Sequence, residues 1–178
     1  MIKHKDQRIG VFVDVQNMYH SAKNLYKANV NFQEVLKVAL ADRKLIRAVA
    51  YGIITTSGEE TKFLEVLSKQ GFEVKTKELQ VFPGGAKKGD WDVGLAVDAI
   101  KSADKLDVIV LVTGDGDFIP LVRYLQENKG CLVELVSFEK STSTKLIECV
   151  DDYLDLSTNK TKFLLKSYSR SVRRVRKK

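Results

Sequence analysis

The stretch from residue 108 to residue 118, VIVLVTGDGDF, constrains the fold more than any other part of the sequence. Its five leading apolar residues are mostly β-branched and run directly into Thr113 and a Gly-Asp-Gly-Asp motif. A short apolar run of this kind predicts a strand that is buried on both faces, as in a parallel sheet. The fold must therefore place two carboxylates, Asp115 and Asp117, at the end of a buried strand, although Asp117 also suits the N-cap of the helix that follows.

Predicted strands and predicted helices alternate along the whole chain. Strands are predicted at 8–15, 45–54, 72–82, 108–112 and 132–138, and a helical pattern follows each of them. This alternation predicts an α/β fold, a Rossmann-like three-layer α/β/α domain with a parallel sheet. We assume the strand order 3-2-1-4-5, in which strands one and four meet at the point where ligands bind in such sheets.

Local signals predict how several of these elements begin. Asn17 is a plausible N-cap for the first helix, and a second helix is predicted from about Asn31. The segment PGGAKKGD at 83–90 has the composition of a loop. For the helix after this loop, the apolar spacing predicts a buried face of Val93, Ala96, Val97 and Ile100.

The positive charge is concentrated at the C-terminus. The net charge is +7, but nine of the 30 Lys and Arg residues and none of the 23 Asp and Glu residues lie in 160–178, so the rest carries −2. We therefore divide the chain into a domain at 1–159 and a basic tail at 160–178. Apolar residues at helical spacing predict a helix over 163–178, with a stripe formed by Leu165, Tyr168, Val172 and Val175.

Three interpretations of the tail remain open. It clamps RNA phosphates in a salt-sensitive way, through Arg170, Arg173, Arg174 and Arg176. Alternatively, it docks its apolar stripe on the domain and leaves the basic face in water. Self-association through the stripe, giving a homo-oligomer, or adsorption to an anionic membrane is the third interpretation.

Several classes of protein are excluded by what the sequence lacks. There is no signal-peptide pattern and no apolar stretch long enough to span a membrane, and Cys131 and Cys149 lack metal-ligand spacing, so we expect a cytoplasmic protein. The P-loop and the glycine-rich dinucleotide fingerprint are absent. Neither His4 nor His20 has a nucleophile motif nearby, and Gln16 stands where an Asp-x-Asp phosphatase needs its second Asp.

Aspartate residues lie at the end of three segments of the assumed sheet, or shortly after them in the chain. The loop at 83–90 reaches roughly 26–29 Å when extended, which is enough to bring Asp92 across two strands. The residues that meet in this arrangement are Asp14, Asp92, Asp115 and Asp117. Four crowded aspartates repel one another, and a divalent cation relieves this conflict; all-oxygen ligation favours Mg²⁺ or Mn²⁺.

This cluster predicts metal-dependent hydrolysis of phosphodiester bonds, with Lys87 and Lys88 meeting the substrate phosphates. Each aspartate also has a purely structural interpretation as a cap or turn residue. Asp98 lies off the predicted apolar face, so we expect it to face solvent or to support a ligand from behind. Trp91 is expected to pack over the helix start rather than to stack on a base.

Three motifs, in this order and spacing, carry a resemblance to a known family. FVDVQN, KKGDWDVGLAVDAI and VTGDGDFIPLVRYLQENKG resemble the NYN domain, in its LabA-like branch, of the PIN-like nuclease superfamily, over roughly residues 8–157. The resemblance implies a PIN-type fold of strand order 3-2-1-4-5 and a Mg²⁺- or Mn²⁺-dependent ribonuclease. The family's acidic positions fall on Asp14, Asp92, Asp115 and Asp117, and Asn17 matches an Asn that orients either the first of them or a metal-bound water.

The resemblance also shows where this sequence departs from the family pattern and how far an activity can be expected from it. The family often has an acid at the position of Asp98, which favours a role for it in the site. Val15, Gln16 and Thr113 depart from the frequent family residues, but none of these departures removes a carboxylate. Some family members have little or no activity. The expected function is therefore a metal-dependent endoribonuclease, with two alternatives: a non-catalytic RNA-binding or regulatory module, and a scaffold that binds metal only for stability.

Overall fold

The apolar run before the Gly-Asp-Gly-Asp motif is a strand with every residue buried, as expected. A computed structural model describes residues 3–55, 60–81, 84 and 87–165 of the chain. Its strands are β1 (Arg8–Asp14), β2 (Asn29–Val30), β3 (Lys44–Ile54), β4 (Glu73–Glu78), β5 (Gln80–Val81), β6 (Lys87–Lys88), β7 (Val108–Val112), β8 (Leu132–Ser137), β9 (Asp152–Asp155) and β10 (Leu164–Leu165). Its α-helices are α1 (Val15–Tyr26), α2 (Phe32–Leu40), α3 (Thr61–Lys69), α4 (Asp92–Ala103), α5 (Ile119–Lys129), α6 (Thr144–Cys149) and α7 (Lys160–Phe163).

The central sheet has six strands in the order β4-β3-β1-β7-β8-β9. Every neighbouring pair in it is parallel. The first five strands along the chain therefore take the predicted order 3-2-1-4-5, and that prediction is confirmed. A sixth strand, β9, extends the sheet beside β8. As a result, β1 lies between β3 and β7, and the carboxyl ends of these three strands share one edge.

Helices cover both faces of the sheet, which confirms the three-layer α/β/α architecture. Successive residues of a strand point to opposite faces, so Val11 and Val13 lie in one apolar cluster and Phe12 lies in the other. Helices α1, α2, α3 and α7 contribute to the first cluster. Helices α4, α5 and α6 contribute to the second. Within the described residues, no helix combines the length and the apolar character that crossing a membrane requires.

Helix α1 follows β1 without a loop, and this corrects the predicted cap. Its N-cap is Asp14, whose carboxylate accepts the backbone N–H of Asn17 at 3.0 Å. Asn17 lies inside the first turn, so the prediction that it caps the helix was wrong. Asn31 is the N-cap of α2, as the sequence indicated.

The buried face of α4 also differs from the prediction. Leu95, Ala99 and Ala103 face the core, whereas Val93 is 73% exposed and Val97 is 41% exposed. Apolar residues occur on both sides of this helix, so their spacing alone did not fix its rotation. That rotation is set by packing, because Trp91 is anchored just before the helix begins, as described below.

Two further boundaries were predicted wrongly. The loop assigned to 83–90 contains β6, which pairs antiparallel with β5 beyond the end of β4. The prediction of a helix over 163–178 is wrong at its start, because β10 lies there and pairs as a strand with β2. The side chain of Phe163, just before β10, is buried in the core. The remainder of the predicted tail helix, from residue 166, lies outside the described residues.

Near the amino ends of the strands, the sheet holds a buried ion pair that the sequence pattern did not indicate. The guanidinium of Arg43 donates two hydrogen bonds to the carboxylate of Glu134, at 2.6 and 2.8 Å, and both side chains are almost fully buried. The same guanidinium donates to the carbonyls of Ala39 and Leu40. Lys3 also donates to Glu134. The pair therefore ties the end of α2 to β8.

Replacing one member of this pair leaves an uncompensated buried charge. We expect Glu134→Leu to lower the free energy of unfolding by about 3–5 kcal/mol, measured by urea denaturation. Combining it with Arg43→Met removes both charges, and most of that loss is expected to be recovered. The exposed pair of Asp6 and Lys44 supplies the control, since Asp6→Asn is expected to leave the free energy of unfolding unchanged. Equal effects of Glu134→Leu and Asp6→Asn would contradict the structural role of the pair.

Candidate active site

The register of the central strands brings Asp14 beside the end of β7. Val13 pairs with Val112, so Asp14 and Thr113 are the next residues on neighbouring strands. One carboxylate oxygen of Asp14 accepts the Asn17 N–H at 3.0 Å, and the other accepts the hydroxyl of Thr113 at 3.4 Å. Asp14 is thus a largely buried carboxylate held by both flanking segments.

Asn17 joins the start of α1 to the loop after β7. Its side-chain oxygen accepts the backbone N–H of Gly114 at 2.8 Å. Within that loop, Asp115 donates its N–H to Thr113 and accepts the N–H of Asp117 with its carboxylate, at 3.2 and 2.9 Å. Asp115 is therefore the capping residue of the short turn Gly116–Phe118, and the exposed side chain of Asp117 does not take that role.

The third carboxylate, Asp92, is the first residue of α4 and is positioned through Trp91. The indole N–H of Trp91 donates to the carbonyl of Gly52 on β3 at 2.9 Å, and its ring packs on Tyr51 with centroids 5.3 Å apart. A Cβ at Gly94 would lie 2.6 Å from the Trp91 ring, so glycine is required there. The expected packing role of Trp91 is confirmed, and it fixes Asp92 beside β3.

The four predicted carboxylates lie at one edge, close enough for their charges to act on one another. Burial raises the pKa of Asp14 to about 6, and the charges of Asp92 and Asp115 add to this rise. The pKa of Asp92 is raised by burial first and then by the charges of Asp115, Asp90 and Asp117. The described part of the chain nevertheless contains no set of three or more His, Cys, Asp or Glu side chains already arranged around a metal position.

Lys77, near the end of β4, is a cation that the sequence analysis missed. Its ammonium lies 4.3 Å from the centroid of the Trp91 ring and donates to the carbonyl of Asp90 at 3.1 Å. Its charge acts on Asp92 and opposes the rise in the pKa of that carboxyl. The sequence did contain a signal for it: Lys77 lies near the end of a stretch, 72–82, in which apolar and polar residues alternate as they do in an exposed strand.

The other predicted basic residues are less fully described. Lys87 and Lys88 form β6, and their side chains lie outside the described part of the structure. The four tail arginines, at positions 170, 173, 174 and 176, also lie outside the described residues. Their assignment to RNA binding therefore stays a prediction.

Of the two positions expected for Asp98, the structure excludes the solvent-facing one, because its side chain is only 17% exposed. Its carboxylate accepts hydrogen bonds from the hydroxyl of Tyr51 at 2.8 Å and from the ammonium of Lys75 at 2.6 Å. Burial by itself raises the pKa of Asp98, but these two hydrogen bonds outweigh it and hold the pKa below its usual range. Asp98 thus supports Tyr51, the residue on which Trp91 packs.

A second loop, missed by the sequence analysis, packs on the Gly-Asp-Gly-Asp motif. Ser143 donates its backbone N–H to the carbonyl of Gly114 at 3.0 Å. A Cβ at Gly114 would lie 2.6 Å from the carbonyl oxygen of Ser141, and one at Gly116 would lie 2.9 Å from the hydroxyl of Ser143. Glycine is therefore required at position 114, where a Cβ would meet backbone, and Gly116 leaves room for the side chain of Ser143. No spacing in the sequence links this loop, at 138–143, to the motif.

A parallel sheet of this order with aspartates at the carboxyl edge defines a PIN-like α/β/α domain. A sequence model of the NYN domain matches residues 8–157, and the chain therefore belongs to the NYN domain family of the PIN-like nuclease superfamily. Among curated relatives, it is 25% identical over 164 residues to the low amplitude and bright protein LabA of Synechococcus elongatus, covering 86% of each chain. The predicted resemblance to the LabA-like branch is confirmed.

Two other relatives extend this comparison. An uncharacterised protein of Methanocaldococcus jannaschii is 27% identical over 148 residues, which cover 82% of this chain and 54% of that protein. The crystal structure of a protein of unknown function from Vibrio parahaemolyticus superimposes with a TM-score of 0.82 at 34% identity, covering 93% of this chain and all of the other. The fold and the family are thus supported by both sequence and structure.

The raised pKa of Asp14 predicts a pH-dependent stability in metal-free buffer. The folded state holds a proton on Asp14 up to about pH 6, whereas the unfolded chain releases it near 3.8. The stabilising contribution is therefore complete below pH 4 and is lost as the pH rises through 6. Relative to Asp14→Asn, which keeps the capping oxygen, the wild type is expected to lose up to about 3 kcal/mol between pH 4 and 7.

Urea denaturation at a series of pH values in EDTA measures this difference. The matched control is Asp104→Asn, at the exposed far end of α4. A constant difference between the wild type and Asp14→Asn across that range would contradict the assigned pKa.

Proposed function

We propose that this protein is a metal-dependent endoribonuclease that hydrolyses RNA phosphodiester bonds at the carboxyl edge of its sheet. The observation that carries the proposal is the position of Asp14: a largely buried carboxylate, held by the Asn17 N–H at the end of β1, that lies beside the loop carrying Asp115 and within reach of the charges of Asp92 and Asp115. A site that crowds negative charge in this way is stabilised by a cation. Membership of the PIN-like superfamily supports a nuclease in particular.

The donor groups at this edge fit Mg²⁺ or Mn²⁺. They are oxygens from Asp14, Asp92, Asp115 and Asp117, and hard divalent cations prefer oxygen ligands. Asp14 and Asp115 each use one oxygen for a backbone N–H. Because Mg²⁺ is usually bound by one or two carboxylates, with waters and substrate phosphates completing its coordination, three converging side chains are not required.

Each residue of the site has its own role in this proposal. A bound divalent cation supplies charge neutralisation at the phosphodiester and makes a water more acidic. Asp14 and Asp115, oriented by their hydrogen bonds to backbone N–H groups, would hold that ion through their other oxygens, and the one on Asp14 also accepts the Thr113 hydroxyl at 3.4 Å. Asp92 and Asp117 complete the negative cluster from α4 and from the loop after β7. Lys77 meets the phosphates of the bound strand, and Lys87 and Lys88 are assigned the same role.

Asn17 and Trp91 are positioning residues in this scheme. Asn17 holds Gly114 against the start of α1, which sets the distance between the segments that carry Asp14 and Asp115. Trp91 holds the start of α4 against Gly52. Both keep like-charged groups close together, an arrangement that the carboxylates alone would oppose.

RNA cleavage with Mg²⁺ or Mn²⁺ tests the catalytic proposal. We expect Asp115→Asn to lower the cleavage rate at least roughly 100-fold, because even the hydrogen-bond partners of metal ligands are worth 10–100-fold. The substitution keeps a side-chain oxygen that caps the turn, so the fold is expected to remain. Asp104→Asn, which removes an exposed carboxylate at the other end of α4, is expected to cleave like the wild type. Equal cleavage by Asp115→Asn, or no cleavage by the wild type with either metal, would rule the proposal out.

The second candidate function is a non-catalytic RNA-binding module of the same fold. The observation that favours it is the concentration of positive charge at the C-terminus, where residues 160–178 hold nine Lys and Arg residues and no Asp or Glu. It predicts RNA binding that weakens with salt, survives Asp115→Asn and is lost when residues 166–178, with Arg170, Arg173, Arg174 and Arg176, are deleted. Residues up to 165 are kept in this variant because Phe163 belongs to the core.

Fluorescence anisotropy with a labelled single-stranded RNA at several salt concentrations measures that binding. Substituting the four arginines by glutamine provides a matched variant of unchanged length. Truncated protein that binds RNA as tightly as the full chain would exclude a role for the tail.

A further inference from the structure

A groove of about 570 Å³ opens between α1 and α3, on the face of the sheet opposite α4. Val15 and Tyr19 line it from α1, and Phe63, Leu64 and Leu67 line it from α3. We call it the α1–α3 groove. Its volume lies in the range of small-molecule sites, which is about 300–1,000 Å³, and its lining is mainly apolar. None of the functions assigned to the carboxylates uses it.

The rim of the groove carries an exposed aromatic ring beside a cation. Tyr19 is 44% exposed, and the ammonium of Lys23 lies 5.5 Å from the centroid of its ring. His20 contacts the same ring edge-on, with the two centroids 5.5 Å apart. An aromatic face next to a positive charge is the combination that binds single-stranded nucleic acid, because the base stacks while the cation attracts the phosphate.

The wall of the groove holds a polar atom without a partner. The side-chain oxygen of Gln70 is buried and accepts no hydrogen bond, and among the described residues it is the one buried side-chain oxygen or nitrogen in that state. A buried acceptor without a partner destabilises the protein, so a ligand N–H that reaches it gains affinity. The last side-chain torsion of Gln has a broad energy minimum, which lets the amide turn toward the groove.

The groove is also near the carboxylates. Asp14 caps α1, and both Gln16 and Tyr19 in the first turns of that helix line the groove. With a rise of 1.5 Å per residue, Tyr19 lies roughly 7–8 Å along the helix axis from Asp14. A stacked strand advances roughly 3.4 Å per nucleotide, so the groove is within reach of a base about two nucleotides from the phosphate at the carboxylates.

We propose that the α1–α3 groove binds one unpaired base of the RNA strand held at the carboxylate edge. The base stacks on Tyr19, its phosphate lies near Lys23, and an exocyclic amino group of the base donates to the oxygen of Gln70. The inference rests on the proposed interaction with RNA and adds a base preference to it: adenine, cytosine and guanine carry such an amino group, and uracil does not.

Binding of short oligonucleotides in EDTA tests the inference independently of cleavage. The probes are oligoadenylate and oligouridylate of ten nucleotides, with one fluorescent 2-aminopurine placed at successive positions of the adenylate. We expect Tyr19→Ala to weaken binding of oligoadenylate roughly 5- to 100-fold, as loss of one stacked base does. Tyr19→Phe keeps the ring and is expected to bind like the wild type. Tyr124→Ala removes an exposed ring from α5 and serves as the control.

Gln70→Leu tests the hydrogen bond. The wild type is expected to bind oligoadenylate more tightly than oligouridylate by roughly 5- to 10-fold, the value of one such bond, and Gln70→Leu to remove this difference. In the wild type, 2-aminopurine is expected to be quenched by stacking at one position of the strand, and this quenching is expected to be absent in Tyr19→Ala.

The outcomes separate this inference from the proposed function. If the wild type cleaves RNA while Tyr19→Ala binds it equally well, the nuclease stands and the base site is wrong. RNA binding that depends on Tyr19 without cleavage supports the base site and favours the non-catalytic candidate. If the wild type binds neither oligonucleotide in EDTA, the base site is wrong, whereas cleavage with Mg²⁺ or Mn²⁺ decides separately whether the nuclease stands. If sedimentation shows an RNA-free dimer that Val66→Lys at the rim dissociates, the groove is a self-association surface and the inference is overturned.

Discussion

Backbone N–H groups hold the negative charge at the carboxyl edge of this sheet. The carboxylate of Asp14 accepts the N–H of Asn17, the carboxylate of Asp115 accepts that of Asp117, and the Asn17 side chain accepts that of Gly114. These bonds fix the carboxylates where burial, and after it the negative charge of neighbouring aspartates, raises the pKa of Asp14 and Asp92. The edge thus holds negative charge at an electrostatic cost, and the proposed cation site rests on this property.

The two ends of the strands serve different purposes. Near their amino ends, the charges of Arg43 and Glu134 neutralise each other and are buried, so they stabilise the sheet and leave nothing for a ligand. At their carboxyl ends, the described side chains include the aspartates of the site and one nearby cation, Lys77, which contacts the Trp91 ring and the carbonyl of Asp90. Because all strands are parallel, this polarity is common to the whole sheet.

Anchoring through aromatic residues connects the edge to both faces of the domain. On one face, Trp91 fixes the start of α4 to Gly52, and Tyr51 is supported in turn by Asp98 and Lys75. On the other face, α1 carries Tyr19 from the capped end at Asp14 into the α1–α3 groove. A strand of RNA lying along the edge would therefore meet rigid elements on either side of the carboxylates, which favours a defined position for the scissile phosphate.

The sequence by itself determined the alternation of strands and helices, the parallel sheet and the segments that end in Asp14, Asp92, Asp115 and Asp117. Apolar runs, turn residues and strand polarity are local properties, and together with a resemblance to one family they predicted the order of the first five strands. Only the tertiary structure decided which residue caps α1, which face of α4 is buried and where the chain beyond Phe163 pairs. It also revealed the Arg43–Glu134 pair, the anchor of Trp91 and the unpartnered oxygen of Gln70. Each of these depends on the rotation of a helix, or on a contact between distant residues, and hydrophobic spacing fixes neither, because helix rotation and long-range pairing are set by packing.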